Sequence, residues 1–182
     1  MDISRPFESS RLRFRLLEPD DREFVYRQFS DQDMCRYLSE PPMTREQARE
    51  TIAFFQDPVG KPYLRYGVFH RESGEFVGTC GYHHWDEELR QVELGYDIWK
   101  TFRGNGYASE ALAMLLLICF RYLDVCHVYV LIHRDNSASI RTAARAGFSQ
   151  SDPCRALDEP LQVCMKLTRR TWEERDVLHS VR

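Results

Sequence analysis

The sequence predicts a mixed α/β fold in which an antiparallel strand meander is followed by alternating helices and strands. Between residues 63 and 99, three segments rich in strand-forming residues are separated by two turn sequences. The longest apolar run, the ten residues from Ala111 to Phe120, then indicates a helix that is buried on most sides. With 182 residues and no internal repeat, the chain is expected to form a single domain.

The N-terminal third is predicted to hold one strand and three helices. Leu12, Phe14 and Leu16 alternate with arginines, which is typical of a strand with one solvent-exposed face. Thr44 and, three residues later, Gln47 form a capping box that opens a helix. The expected boundaries are 11–16 for the strand and 18–29, 34–38 and 44–55 for the helices.

The rest of the chain is predicted to complete the strand meander and then to alternate between helices and strands. Residues 71–74 form a hairpin-type turn, and residues 86–88 form the next turn. Asn136 caps a later helix, and Gly147 ends it. The expected strands are 63–70, 75–85, 91–99, 126–132, one starting at 148, and 161–167, and the expected helices are 106–123, 136–145 and 168–178.

Charge, hydropathy and cysteine content narrow the class of protein. A formal net charge of -3 does not fit a nucleic-acid binder. The first ten residues contain no apolar segment of a secretory signal, and the apolar run of ten residues is about half a membrane span. The six cysteines include no Cys-x-x-Cys pair, which favours reduced thiols. We therefore expect a cytoplasmic protein without a nucleic-acid or membrane partner.

The segment from Arg103 to Ala108 is the most informative motif. Gly104 and Gly106 lie where a strand gives way to a helix, so that backbone N–H groups and the helix dipole could hold a pyrophosphate. The spacing matches neither the dinucleotide fingerprint nor the nucleotide-hydrolase loop. The alternative is an ordinary turn in which glycines supply left-handed backbone angles.

Three segments carry a family resemblance that runs from about residue 9 to residue 167. The run Glu93 to Leu112 resembles the acetyl-CoA signature of the GNAT superfamily of N-acetyltransferases, and Asn136 to Phe148 is similar to that family's next motif. The opening Ser10 to Asp21, together with residues 36–38 and 44–55, resembles the ribosomal-protein N-terminal (alanine/serine) acetyltransferase branch. The family's core signature is met by Arg103, Gly106 and Ala108.

The resemblance implies a mostly antiparallel sheet with flanking helices and one parallel strand pair that splays apart to admit the pantetheine of acetyl-CoA. The N–H groups of the loop would then hold the pyrophosphate, while the strand backbone would pair with the pantetheine amides. The residues that the resemblance places at the cofactor are Tyr96, Ile98, Arg103, Gly104, Asn105, Gly106, Tyr107, Ala108 and Asn136.

Two side chains are candidates for proton transfer. Glu93, near the expected splay, is the candidate base through a water molecule, and the alternative is a solvated strand carboxylate. Many family members protonate the leaving thiolate with a tyrosine, but Ala143 occupies that position here. By resemblance Ser139 replaces it, and the alternative is a serine that bonds the helix backbone. A strand amide near Ile98 is the expected oxyanion donor.

No metal site is expected from the histidines. His83 and His84 are adjacent on a predicted strand, so their side chains should point to opposite faces and fail to share an ion. The same alternation separates Cys126 from His127, which argues against a Cys-His nucleophile.

The function implied by the resemblance is direct transfer of an acetyl group from acetyl-CoA to a primary amine. The leading acceptor is a protein or peptide N-terminus, and the rival is a small-molecule amine such as a polyamine, amino sugar or antibiotic. A different class of function, a non-catalytic acyl-CoA sensor, is kept open by Ala143. The chain is expected to act as a monomer or homodimer.

Overall fold

The computed structural model describes residues 3–38, 41–56, 61–151 and 161–180. These residues form one eight-stranded sheet with helices on both faces. The strands are β1 (Phe7–Glu8), β2 (Leu12–Leu16), β3 (Leu64–His70), β4 (Phe76–Asp86), β5 (Gln91–Ile98), β6 (His127–His133), β7 (Ser149–Gln150) and β8 (Gln162–Thr168). The helices are α1 (Arg22–Ser30), α2 (Gln32–Cys35), α3 (Arg45–Phe55), α4 (Tyr107–Tyr122), α5 (Ser137–Ala146) and α6 (Arg169–Ser180).

The sheet is antiparallel except at its centre. The strand order is β1-β2-β3-β4-β5-β6-β8-β7, and β5 and β6 are the parallel pair. Their register contains three residue pairs, of which Glu93 and Tyr129 form the last. Beyond that pair β5 continues to Ile98 and β6 to His133 without further pairing to each other. The expected splay of two parallel neighbours is therefore confirmed.

The two faces of the sheet differ in polarity. Leu94 and Ile98 of β5 join Leu112 and Leu115 of α4 in the main hydrophobic core. On the other face α1 and α3 form a smaller apolar cluster, and Gln28 of α1 donates a hydrogen bond to Thr79 Oγ1 of β4 at 3.3 Å. Because successive residues of a strand point to opposite faces, the odd-numbered side chains of β5 lie on this second, more polar face.

Most predicted elements are confirmed within a few residues, and two local predictions need correction. The short second helix spans Gln32–Cys35 rather than 34–38, and it starts at Gln32 because the Asp31 carboxylate accepts hydrogen bonds from the N–H groups of Asp33 and Met34. The strand after Gly147 has only two residues, and the strand β1 was not predicted. Within the described ranges no helix is long and apolar enough to cross a membrane.

The described cysteines, Cys35, Cys80, Cys119, Cys126 and Cys164, are free thiols. Cys154 lies outside the described residues. Burial raises the pKa of the Cys80 thiol to about 12, and burial also raises the pKa of Cys119. Buried thiols with raised pKa values are poor nucleophiles at neutral pH.

Candidate active site at the strand splay

The backbone of β5 presents amide groups to the opening between β5 and β6. Trp99 N–H donates to Val77 O at 2.8 Å, so the amides of odd-numbered residues in this strand face β4. At the other end Arg90 O accepts from Cys126 N–H at 2.7 Å, so the even-numbered residues face β6. The alternation therefore directs the amides of Tyr96 and Ile98 into the opening, as a ligand that pairs along a strand requires.

The loop that follows β5 has the backbone form expected of an anion cradle. Gly104 and Gly106 have φ angles of +81° and +80°, and Gly106 is the N-cap of α4. A side chain at either position would be strained by the backbone angle. The loop is exposed, and the 16-residue helix behind it directs its positive dipole end towards the loop. Such an arrangement of N–H groups suits a pyrophosphate.

The side chains of the loop mainly shape the loop itself. Asn105 Nδ2 donates to Phe102 O at 3.2 Å and to Arg103 O at 3.3 Å. Arg103 Nε donates to Ile98 O at 3.2 Å, which ties the loop to the end of β5. Tyr107 and Ala108 form the half-buried first turn of α4. An incoming anion would therefore meet mainly backbone groups.

Arg11 and Glu110 brace this loop, and no local sequence signal pointed to either residue. Glu110 Oε1 accepts from Ser9 Oγ at 2.7 Å, from Ser10 Oγ at 3.0 Å and from Arg11 N at 2.8 Å. Arg11 Nε donates to Glu110 Oε2 at 2.8 Å, while its Nη1 donates to Asn105 O at 2.9 Å. Burial alone would raise the pKa of Glu110, but the hydrogen bonds from Ser9, Arg11 and Ser10 outweigh it and lower that pKa.

We expect Glu110→Gln to lower the free energy of unfolding at neutral pH by about 1.5–3 kcal/mol, the range for a hydrogen bond to a charged group. Because the folded-state pKa of Glu110 lies below its ordinary value of 4.5, the carboxylate stabilises the fold above pH 4.5. That contribution is lost as the pH falls from there through the folded pKa. Urea unfolding of both proteins between about pH 3 and 7 should show that the free energy of unfolding falls less on acidification in the variant than in wild type. The same pH dependence in both proteins would contradict this role of Glu110.

Glu93 is buried, with 6% of its surface exposed, at the last paired position before the splay. Its Oε1 lies 3.1 Å from His83 Nε2, and its Oε2 lies 3.1 Å from His84 Nδ1. The alternative of a solvated strand carboxylate is therefore wrong. A carboxylate held between two imidazoles beside an opening in the sheet can accept a proton from a bound group.

The expectation that His83 and His84 point to opposite faces is wrong. Four residues of β4, from His83 to Asp86, lie opposite three residues of β5 in a β-bulge. His84 takes a φ angle of +52°, which turns its ring back towards the carboxylate. The geometric reason for excluding a shared ion at these two residues therefore fails.

Further polar side chains lie next to Glu93 on the same face of the sheet. Arg65 forms an ion pair with Asp97 and donates to Thr79 Oγ1 at 2.8 Å. A Cβ atom on Gly95 would lie 3.1 Å from His83 Cε1, so the glycine leaves room for that ring. A Cβ on Gly81 would lie only 1.9 Å from Leu64 O, so the close approach of β3 and β4 requires glycine.

Tyr96 spans the opening and reaches α5. Its hydroxyl lies 2.9 Å from Ser139 Oγ, while Asn136 Oδ1 accepts from Ser139 N–H at 3.1 Å as the helix N-cap. Ala143, one turn further along α5, is fully buried. Burial raises the pKa of Tyr96, although its hydrogen bond with Ser139 acts in the opposite direction. Sequence reasoning placed Tyr96 here only for its backbone and missed its hydroxyl.

Comparison with known proteins agrees with the family resemblance seen in the sequence. A family model described as an acetyltransferase (GNAT) domain matches residues 11–149. The uncharacterized N-acetyltransferase YoaA of Bacillus subtilis (strain 168) is 30% identical over 148 residues, which cover 79% of this chain and 82% of that protein.

Two solved structures share the fold at lower identity. A "putative ribosomal-protein-serine acetyltransferase" from Vibrio cholerae gives a TM-score of 0.77 at 24% identity, covering 92% of this chain and 99% of the other. The spermidine N-acetyltransferase of Vibrio cholerae, in complex with CoA and spermine, gives 0.77 at 17% identity, covering 91% and 99%.

Proposed function

The chain belongs to the GNAT acetyltransferase family, and we propose that it moves an acetyl group from acetyl-CoA to the N-terminal amine of a protein or peptide. The observation that carries the acetyl-transfer step of this proposal is the position of Glu93, a buried carboxylate at the point where β5 and β6 separate. Free cysteines in the described part of the chain support our further proposal of a cytoplasmic location.

Acetyl-CoA would bind with its pyrophosphate on the N–H groups of residues 103–108 and its pantetheine along β5. The amides of Tyr96 and Ile98 would pair with the pantetheine, and Asn136 would lie near it at the start of α5. The Ile98 N–H, directed into the opening, would donate to the oxyanion that forms on the thioester carbonyl. These groups orient the thioester for attack from the polar face of the sheet.

The transfer would proceed by direct attack. The neutral amine nitrogen bonds to the carbonyl carbon while Glu93, through a water molecule, accepts the proton that the nitrogen loses. The C–S bond then breaks, and the sulfur takes a proton. An α-amine, with a reference pKa of about 7.7–8.0, is partly neutral at physiological pH and asks less of the base than a lysine at about 10.4.

The hydroxyl pair of Tyr96 and Ser139 would supply the proton to the departing sulfur. Ala143 lacks a hydroxyl, but Ser139 lies one turn earlier on the same face of α5, and its Oγ lies 2.9 Å from the Tyr96 hydroxyl. The shared hydrogen bond at 2.9 Å lets Tyr96 replenish the proton that Ser139 gives up. The pair therefore replaces the single tyrosine that many family members carry.

We expect Tyr96→Phe to lower kcat by about tenfold, a modest acid effect because a thiolate with a reference pKa of about 8.5 leaves readily. Ser139→Ala should cost a similar factor, and the double variant little more, because the two hydroxyls act as a unit. Tyr122→Phe, which removes an exposed phenol, is the control. Steady-state kinetics would contradict the pairing if the two losses multiplied.

The contacts on the polar face favour an acceptor with one amine over a polyamine. Asp97 is paired with Arg65, and both oxygens of Glu93 already contact imidazole nitrogens, so neither carboxylate is left without a partner. A polycation would require carboxylates that remain available to several ammonium groups. A peptide N-terminus needs only the base and the opening beside it.

The test is CoA release with a matched panel of acceptors. Peptides that begin with alanine or serine should support turnover, whereas the same peptides with a blocked N-terminus should not. Spermidine, an amino sugar and an aminoglycoside represent the rival substrate class, and turnover with one of these alone would replace the peptide assignment. Tight binding of acetyl-CoA without turnover on any acceptor would instead support a non-catalytic acyl-CoA sensor.

A further inference from the structure

We propose that His83, His84 and Glu93 form a binding site for one Zn²⁺ ion beside the point where β5 and β6 separate. Each residue offers one ligand atom, and these atoms all lie within 4.8 Å of one another. Two imidazole nitrogens and one carboxylate oxygen form a donor set that zinc accepts in open sites, with a water molecule as the fourth ligand.

Each imidazole lies at about the spacing of two zinc ligands from one oxygen of the Glu93 carboxylate. Tetrahedral zinc with bonds of about 2.0–2.1 Å places neighbouring ligand atoms about 3.3 Å apart. Both imidazole-to-carboxylate distances, His83 Nε2 to Glu93 Oε1 and His84 Nδ1 to Glu93 Oε2, are 3.1 Å. The three ligand atoms lie within 4.8 Å of one another, so binding through one carboxylate oxygen requires the widest of these distances to shorten by at most about 1.5 Å.

The backbone at His84 is what brings the second imidazole into the cluster. In a regular strand His84 would point away from Glu93, but the β-bulge and the φ angle of +52° reverse it. A residue other than glycine in this region costs of order 1–3 kcal/mol, and such strain is concentrated at functional sites. The bulge thus has a specific result, the meeting of three ligands.

The cluster is open to solvent on its imidazole side. The exposed fractions of the His84, His83 and Glu93 side chains are 51%, 33% and 8%. An ion can therefore enter past the imidazoles and reach the buried carboxylate. Gly95 leaves the space that the His83 ring occupies.

Zinc at this position would inhibit acetyl transfer, a consequence that rests on the proposed role of Glu93. The carboxylate oxygen that binds the ion is then no longer available to accept a proton. We therefore expect reversible inhibition by Zn²⁺ that a chelator relieves.

The first experiment measures binding without activity. Protein free of any affinity tag and stripped with chelator is titrated with Zn²⁺ by calorimetry and with Co²⁺ by visible absorption. We expect one ion per chain and Co²⁺ bands of a four- or five-coordinate site. The proposal is overturned if wild type binds neither ion, or if the Co²⁺ spectrum shows thiolate ligation.

The key variant is His84→Gly, because glycine suits the positive φ and the fold should be retained or stabilised. It should weaken Zn²⁺ binding by about tenfold or more, as should Glu93→Gln. His70→Ala, which removes a histidine outside the cluster, should leave the affinity unchanged. Equal affinities in wild type and His84→Gly, or a loss in His70→Ala, would overturn the site.

Activity then separates the two proposals. Zn²⁺ should inhibit wild-type transfer at concentrations about tenfold or more below those needed for His84→Gly. A protein that binds zinc as expected but acetylates no amine would contradict the proposed function and leave the site standing. An active protein with no zinc affinity would contradict the zinc site and leave the proposed function standing.

Discussion

Replacing Glu93 by glutamine is expected to lower kcat by about 10²- to 10⁴-fold, the range of general base catalysis. Glutamine keeps the size of the side chain and a hydrogen bond to an imidazole, but its amide cannot accept the proton of the attacking amine. The Kd of acetyl-CoA should stay constant, because the substitution leaves unchanged the amides of Tyr96 and Ile98 and the loop of residues 103–108 that are proposed to hold the cofactor. The measurement is CoA release at saturating acetyl-CoA, with calorimetry for the Kd.

The loss should depend on the acceptor. An α-amine with a pKa of about 7.7–8.0 supplies more neutral nucleophile at pH 7 than an alkylamine near 10.4, so the variant should lose more on the alkylamine. Glu75→Gln, which changes an exposed carboxylate on the β3–β4 turn, is the matched control and should be fully active. Turnover of Glu93→Gln equal to wild type on every acceptor would remove Glu93 as the base.

The elements that position the site follow from local sequence signals. The meander of β3, β4 and β5 is set by alternation and short turns, and α4 by its apolar run, so each depends on residues close in sequence. The left-handed angles of Gly104 and Gly106 follow from glycine itself. The splay could be anticipated only from the family resemblance, because no pattern within β5 or β6 predicts where their pairing stops.

The contacts that complete the site join residues distant in sequence. Arg11 and Glu110 are 99 positions apart, and Tyr96 and Ser139 are 43 positions apart. Such pairs depend on how helices pack on the sheet, which periodicity does not encode. The His84 bulge is different: it is local, but one extra residue in β4 reversed the expected side-chain direction. Strict alternation of side chains predicts the wrong face wherever such an insertion occurs.

Replacing Gly104 by valine is expected to weaken acetyl-CoA binding by about 100-fold. A β-branched residue at a φ angle of +81° costs about 1–2 kcal/mol, which the loop can relieve only by turning its peptide groups. Each N–H group turned away from the pyrophosphate loses a hydrogen bond to a charged group, worth about 1.5–3 kcal/mol. A total loss of about 3 kcal/mol, from one such bond at the upper end of this range or two at the lower end, corresponds to about two powers of ten in Kd, measured by calorimetry with acetyl-CoA.

Gly74→Val is the control that separates a direct loss of cofactor binding from a general effect of backbone strain. Gly74 has a φ angle of +71° in the β3–β4 turn, and a Cβ atom added there, as at Gly104, would have no neighbouring atom within 4 Å. Both variants should therefore lose about 1–2 kcal/mol of unfolding free energy for the same backbone reason. Only Gly104→Val should lose acetyl-CoA affinity, because only its N–H groups belong to the loop at the start of α4. If the two variants bound acetyl-CoA with equal affinity, the pyrophosphate would lie elsewhere, because the two substitutions would then differ in nothing that affects cofactor binding.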